Sequence, residues 1–364
     1  MKLLYRYVFR ELLAPFFFGV AAFTGIFIGT DLLFEMTRYY TEWGVDLLTL
    51  LRLFFLSLPE IIVICFPMAT LLATILGYSR LSGDSEVTAF RAGGISINSL
   101  VVPALVIGLL MSLVAVGINE YVVPRANYRY NQISHRARTG ETMPRTQDNL
   151  FITQTESGGG PDYMLYSSHF NGETGEMSDV VLQDFRNGEA SVLIEAEKAV
   201  WEEDEWYFYR GKLFQLQEGE RIPSLEFEEY VVRTVVYGPE EMERLSKDVD
   251  DMTLGELSEH IEMLREQGKT VNEELVDWHQ RLAIPFASFI FALLAAPLGI
   301  RPRRSGGTAF GMGLSIIVIF IYYTVMTIGD AFGGQGTIAP WLGAWGQNIV
   351  FLFVGCIMLY RVGR

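Results

Sequence analysis

The sequence predicts an α-helical membrane protein with six transmembrane helices in a 3 + 3 arrangement and an all-β domain, jelly-roll-like, inserted between them. Three observations carry this reading. Six apolar runs, near 12–34, 50–79, 98–122, 279–300, 307–330 and 341–360, are long enough to cross a hydrocarbon layer of about 30 Å, which takes roughly 20 helical residues. Residues 123–278, between the two sets of three, are polar and acidic. Within that insertion the pattern changes from continuous apolar runs to alternation with a period of two. Half of the 364 residues are hydrophobic although the formal charge is −15, and the mean hydropathy is +0.25, a combination foreign to ordinary soluble domains. The expected divisions are 1–122, 123–278 and 279–364.

The first run follows MKLLYRYVFRELL, whose basic residues precede an apolar core. It is long and opens onto no small-residue cleavage site, so it predicts an uncleaved signal anchor. Lys2, Arg6, Arg10, Arg80, Arg91, Arg301, Arg303, Arg304, Arg361 and Arg364 all fall on one side if the spans alternate. The excess of Lys and Arg marks that side as cytoplasmic. Both termini are then cytoplasmic, the protein is multi-pass, and the acidic insertion lies outside.

Segments such as DYMLYSSHF, ASVLIEAEKAVW and WYFYRGKLFQLQ, separated by NGETGEMS, RNGE and EEDE, read as strands in hairpins. By alternation Val192, Ile194, Ala196 and Lys198 share one face. Trp206, Phe208, Leu213 and Phe214 supply a greasy interior, which is either the core of a small β domain or an apolar groove that shelters lipid chains. After the strands, Thr253 and Glu256 form a capping box, and Leu257, Ile261 and Leu264 mark one face of the helix that follows.

No GxxxxGK[ST] phosphate loop, HExxH or GxSxG occurs. Cys65 and Cys356 lie within apolar spans, and the four histidines are scattered, so neither a metal centre nor a catalytic residue is expected, and nucleic acid is not an expected partner. Gly25-x-x-x-Gly29 and Gly307-x-x-x-Gly311 have the spacing that lets helix backbones approach within lipid, inside one chain or between subunits. Arg52 and Arg281, near the outer membrane face, are candidates for an anionic lipid head group.

The stretch RLSGDSEVTAFRAGGIS (80–96) interrupts two membrane-length runs with a polar, helix-compatible piece. Asp84, Ser85 and Glu86 favour a helix start through the macrodipole, and Gly93-Gly94 ends it. A short helix near 82–92 would present Val87 and Phe90, beside Arg91, to a groove on a partner. An ordinary inter-span loop is the other reading.

RYVFRELL, LPEIIVICFPMATLLATILGYSRLSGDSEVTAFRAGGIS and WHQRLAIPFASFIFALLAAPLGIRPRR resemble the LptF/LptG permease family, and the similarity covers nearly the whole chain. The resemblance implies a subunit of the inner (cytoplasmic) membrane that works with a second permease subunit, or with a copy of itself, on a dimeric cytoplasmic ATPase, LptB, which uses ATP and Mg. It implies extraction of lipopolysaccharide from the outer leaflet and delivery, through a periplasmic β-jelly roll, to the LptC and LptA bridge. It matches Glu86 to the acidic coupling-helix residue that meets the ATPase, and it places spans one and five at lateral gates between subunits. No cofactor is implied for this chain. A membrane-anchored scaffold and an ATP-independent lipid transporter are the competing expectations.

Overall fold

The structure, a computed structural model, describes all residues except 1, 140–145, 156–160, 172–173, 187–188, 203, 218–219, 236, 240–248, 267–268, 301–306 and 364. The chain forms two compact units, Met1–Tyr130 with Asn272–Arg364, and Asn131–Val271.

The first unit is helical. α1 (Lys2–Phe27) continues through a π-helical turn (Ile28–Leu32) into α2 (Leu33–Trp43). Most of the stretch 35–49, between the first two apolar runs, is therefore helix, because Leu32, Met36 and Tyr39 recur at helical spacing and are buried. The helix stops at Gly44, whose φ of +63° is left-handed and costs glycine little. Asp46 then caps α3 (Leu47–Gly83). It accepts from Thr49 Oγ1 at 2.6 Å and from the Thr49 and Leu48 N–H groups at 3.1 Å. These bonds, the Thr49 hydroxyl's first, hold its carboxyl below the usual carboxylate range.

Next come α4 (Glu86–Ala92), α5 (Ile97–Tyr121) and α6 (Val123–Thr139). The insertion follows and contains α7 (Leu254–Glu266). α8 (Asn272–Ile300), α9 (Gly307–Gly334) and α10 (Pro340–Gly363) complete the helical unit. Among the described residues six stretches are long and apolar enough to cross a membrane: Leu3–Trp43, Leu47–Gly83, Ile97–Tyr121, Asn272–Ile300, Gly311–Gly334 and Pro340–Gly363. Three precede the insertion and three follow it, as the sequence predicts.

α3 and α8 lie in the middle, where Leu71, Ile75, Phe291 and Leu294 close a cluster with Tyr322 of α9 and Phe351 of α10. α1 and α9 are peripheral, with Phe17, Phe18, Ile316 and Phe320 exposed. Apolar surface of this extent suits lipid as solvent. In lipid, close packing and a few hydrogen bonds hold helices together. Gly329 and Gly333 of α9 meet Gly343 of α10 so closely that a Cβ on Gly329 would lie 2.5 Å from the Gly343 carbonyl oxygen. Asn348 Nδ2 donates to the Ala283 carbonyl at 2.8 Å, and Asn348 Oδ1 accepts from Tyr322 at 2.9 Å, which ties α8, α9 and α10.

Among the described residues the second unit holds one six-stranded antiparallel sheet. Its strands are β1 (Thr146–Thr155), β2 (Pro161–Asn171), β3 (Glu176–Arg186), β4 (Glu189–Glu202), β5 (Glu205–Gln217) and β6 (Glu220–Val232). Their order is β1-β2-β3-β4-β5-β6. The resemblance supplies a jelly-roll order; among the described residues each strand pairs with its chain neighbours in an up-and-down meander. Connections as short as RNGE and EEDE permit only hairpins. α7 begins at the expected capping box, with Thr253 N–H donating to Glu256 Oε2 at 2.7 Å and Glu256 N–H to Thr253 Oγ1 at 3.3 Å. Its buried face is Leu257, Ile261 and Leu264.

The buried side of the sheet changes face partway along the strands. β4 buries Ile194 and Ala196, then Ala199; β3 buries Met177, then Val180 and Leu182. Asp179, between Met177 and Val180 of β3, and Arg210, between Phe208 and Leu213 of β5, have φ of +48° and +52°, left-handed for non-glycine residues. A left-handed residue interrupts the pleat, so the alternation resumes in the opposite phase. Lys198, placed inward by simple alternation, instead pairs with Glu176 at 2.7 Å, and Ala199 takes the interior position.

Phe208→Ala should destabilise the insertion by about 3–5 kcal/mol, and Phe214→Ala, at a half-buried ring, by clearly less. The urea dependence of proteolysis within the insertion of the detergent-solubilised chain reads both. Gly343→Val should lower the thermal midpoint of the solubilised chain by forcing α9 from α10, whereas Gly25→Val, with open space around it, should leave it unchanged.

Candidate functional site

At one end of the helical unit α1 starts, α3 and α8 finish, and α4 lies between α3 and α5. The local sequence builds α4 in steps. Asp84 N–H donates to the Arg80 carbonyl at 2.9 Å and closes α3. Ser85, at φ +61°, redirects the chain, and Glu86 opens a seven-residue helix. Gly94, at φ +82°, ends it. The N–H groups of Gly93, Gly94 and Ile95 each donate back into the last turn at 3.0 Å. The helix is shorter than the expected 82–92 because Ser82 and Gly83 belong to α3.

Seven residues do not make a stable helix alone. Val87, 5% exposed, anchors this one in a core with Val8 and Leu12 of α1, Tyr78 and Leu81 of α3, and Ile97 and Leu100 of α5. Phe90 and Ile95 pack partly against the same core. This corrects the expectation that Val87 faces a partner, since it holds so short a helix to its own bundle, while Phe90 remains half-exposed. Asp84, Thr88, Ala89, Arg91 and Ala92 face outward.

A polar layer surrounds the anchor. Tyr7 Oη donates to both Glu86 oxygens, at 2.9 and 2.8 Å. Arg80 binds Glu11 at 2.6 Å and lies 3.8 Å from Asp84. Ser82 Oγ donates to the Ile300 carbonyl at 2.7 Å, and Tyr78 Oη to the Leu100 carbonyl at 2.5 Å. Because the Arg80 side chain is 71% exposed, its pair with Glu11 contributes about 0–1 kcal/mol; apolar burial carries the docking and the polar layer sets its geometry. Arg6, Arg10, Arg91 and Arg361 are exposed at this end. Arg301, Arg303, Arg304 and Arg364 lie outside the described residues.

The other residues singled out from sequence lie elsewhere. A Cβ on Gly25 or Gly29 would meet nothing within 4 Å, whereas one on Gly311 would lie 3.0 Å from Ile75 Cγ2 of α3. Gly307 opens α9, and its surroundings lie outside the described residues. Arg52 is exposed on α3. Arg281 is half-buried on α8, its carbonyl accepting from Asn119 Nδ2 at 3.4 Å. In the insertion, Trp206 and Phe208 are wholly buried, and Trp206 Nε1 donates to the Tyr237 carbonyl at 3.0 Å. Leu213 is partly buried against that core and pairs across β5–β6 with Leu225, which is 49% exposed. Phe214 pairs with Leu193 on the opposite face.

The structure thus gathers Asp84, Glu86, Val87, Phe90 and Arg91 on one docked helix and adds Tyr7 and Glu11, which sequence reasoning passed over. Their signal was present: Tyr7 and Glu11 are four residues apart on one face of RYVFRELL, in phase with neither Val8 nor Leu12.

The family described as "Lipopolysaccharide export system permease LptF/LptG" matches residues 6–361. The chain is 20% identical over 330 residues to the lipopolysaccharide export system permease protein LptF of Escherichia coli K12, covering 85% of this chain and 81% of that protein. It is 20% identical over 324 residues to LptG of the same strain, covering 88% and 87%. It is also 20% identical over 277 residues to LptG of Haemophilus influenzae, covering 75% of each. With six membrane-length helices, the inserted antiparallel sheet and a match over nearly its full length, the chain belongs to the LptF/LptG permease family.

Proposed function

We propose that the chain is the transmembrane subunit of an ATP-driven lipopolysaccharide exporter and that α4 is where a cytoplasmic ATPase docks. The observation that carries this is a short helix, polar on its outward side, seated by Val87 at the meeting point of three membrane helices in a chain of the LptF/LptG family. Force applied to such a helix reaches the spans directly. The exposed arginines at that end favour the cytoplasmic side of the inner membrane, which puts the insertion in the periplasm. ATP and Mg belong to the ATPase, since this chain lacks a phosphate loop.

The open surface at Gly25 and Gly29 on peripheral α1 suits a second permease subunit, either another family member or a copy of this chain. Exposed Arg52 suits the anionic head group. Moving one acyl chain of about 14 carbons from lipid into water costs on the order of 10 kcal/mol, at about 0.8 kcal/mol per CH₂. Export therefore needs both an energy source and an apolar shelter outside. The partly covered end of the sheet interior at Leu213 and Leu225 offers that shelter, from which the lipid passes to periplasmic bridge proteins.

Purification from native membranes should recover an ATPase with the wild-type chain and lose it with Glu86→Arg. Val87→Asp, which unseats α4, should lose it too, while Arg52→Ala retains it and loses bound lipopolysaccharide. No ATPase with the wild type would favour a scaffold or an ATP-independent transporter; an ATPase retained by Glu86→Arg would take the docking role from that residue.

A further inference from the structure

We propose that Tyr7 is the positioning residue through which α4 drives α1, with Tyr130 anchoring the far end of the same helical rod. The inference rests on the reading of α4 as the docking helix and adds how movement leaves it.

The rod from Lys2 to Trp43 is held unequally along its length. At its start, the Tyr7 hydroxyl bridges both oxygens of Glu86, and one turn later Glu11 accepts from Arg80. A carboxylate offers about four acceptor positions, so one phenol proton leaves Glu86 capacity for a partner. Apolar contact continues through Leu12 and Phe16, both nearly inaccessible, and a Cβ on Gly19 would lie 3.0 Å from Ala69 Cα of α3. Beyond this the contact thins, although Val20 still packs on the α1–α3 core and Leu32 is buried. Gly25 and Gly29 face open space, and Ile28–Leu32 is π-helical. There Thr30 Oγ1 donates to the Ile26 carbonyl at 3.1 Å and to Asp31 at 2.9 Å. Close contact resumes in α2, where Glu35 accepts from Tyr130 Oη of α6 at 2.7 Å and Tyr39 is wholly buried. Burial, and after it the Glu35 carboxylate, pushes the Tyr130 phenol well above its usual range, so it remains a donor at any physiological pH.

A rod fastened at both ends and loosely held between them converts a push at one end into bending of the loosely held part. The π-helical turn is where that bending costs least, because its wider turn is already out of register with the α-helix on either side. α4 therefore acts on the middle of α1, around Gly25 and Gly29, without touching it. Tyr7 carries the push because its hydroxyl joins α1 to Glu86 in the first turn of α4, beside Val87 in the shared core.

The test uses the assembled transporter in proteoliposomes containing lipopolysaccharide, with ATP hydrolysis and transfer to a soluble acceptor measured together. Tyr7→Phe keeps the ring, and the ATPase should still copurify, but lipopolysaccharide transferred per ATP should fall about fivefold or more, the scale of a modest coupling energy. Tyr130→Phe should act in the same direction. A spin label at Gly25→Cys, with Cys65 and Cys356 replaced by serine, should respond to ATP in the parent chain and not in Tyr7→Phe. A wild-type transfer ratio or an undiminished spectral response in Tyr7→Phe overturns the inference while leaving ATPase docking intact. Absence of the ATPase from the wild type overturns the docking reading, and the link with it.

Discussion

A bilayer core offers no water to backbone N–H and C=O groups, so every segment that crosses it must satisfy them internally. The rest of this structure follows from that requirement. The spans are long helices that run through Pro59, Pro67, Pro103, Pro285 and Pro297 without ending, because neighbouring helices exclude the alternatives that water would offer. Irregular backbone is displaced to the ends of the bundle, where side chains take over the capping: Asp46 at α3 and Ser96 at α5. The same constraint favours the ends for charged side chains. One carries α4 with its layer of Tyr7, Glu11, Arg80 and Glu86; the other carries Glu35 and Glu60, accepting from Tyr130 and Asn127 of α6.

Inside lipid, burying apolar surface between helices gains little, so contact geometry decides what is rigid. Where backbones touch, as at Gly329, Gly333 and Gly343, or where Asn348 joins three helices, the bundle has one arrangement. Where they do not, as along α1 between Gly25 and Gly29, the chain has surface to give to another molecule. The same glycine spacing thus serves opposite ends. Gly329 and Gly333 close an internal seam, Gly311 fits against Ile75, and Gly25 and Gly29 remain open.

What was legible in the sequence was whatever is decided locally or by bulk composition. Span number and the β insertion follow from run length and from alternation. The Thr253–Glu256 box needs three residues of spacing and is found as expected. What was not legible depends on which neighbour occupies a face. An amphipathic turn with Val87 and Phe90 on one side says that something apolar lies there, not whether it belongs to this chain. The phase change in the sheet was hidden because Asp179 and Arg210 are ordinary side chains in left-handed geometry, so strict alternation carried Lys198 inward. The π-helical turn left no mark either, since IGTDL is equally compatible with a regular helix.

On the proposed function, the sheet has two incompatible duties. It must stay folded on a margin of about 5–15 kcal/mol, typical of domains, and it must shelter acyl chains whose exposure costs on the order of 10 kcal/mol each. A core that opened to admit lipid would forfeit its own stability. The arrangement separates the duties in space. Trp206 and Phe208 are sealed, and the buried rows of β1 to β4 are nearly inaccessible. Toward the β6 edge Leu213 and Phe227 pack only partly buried against the interior, which ends in exposed Leu225. The left-handed residue Arg210 lies between Phe208 and Leu213, so the interruption of the pleat divides β5 into a part that packs and a part that is accessible. On that proposal, a lipid chain laid along the accessible part would extend the existing core rather than disturb it, and one small sheet would serve as both scaffold and receptor.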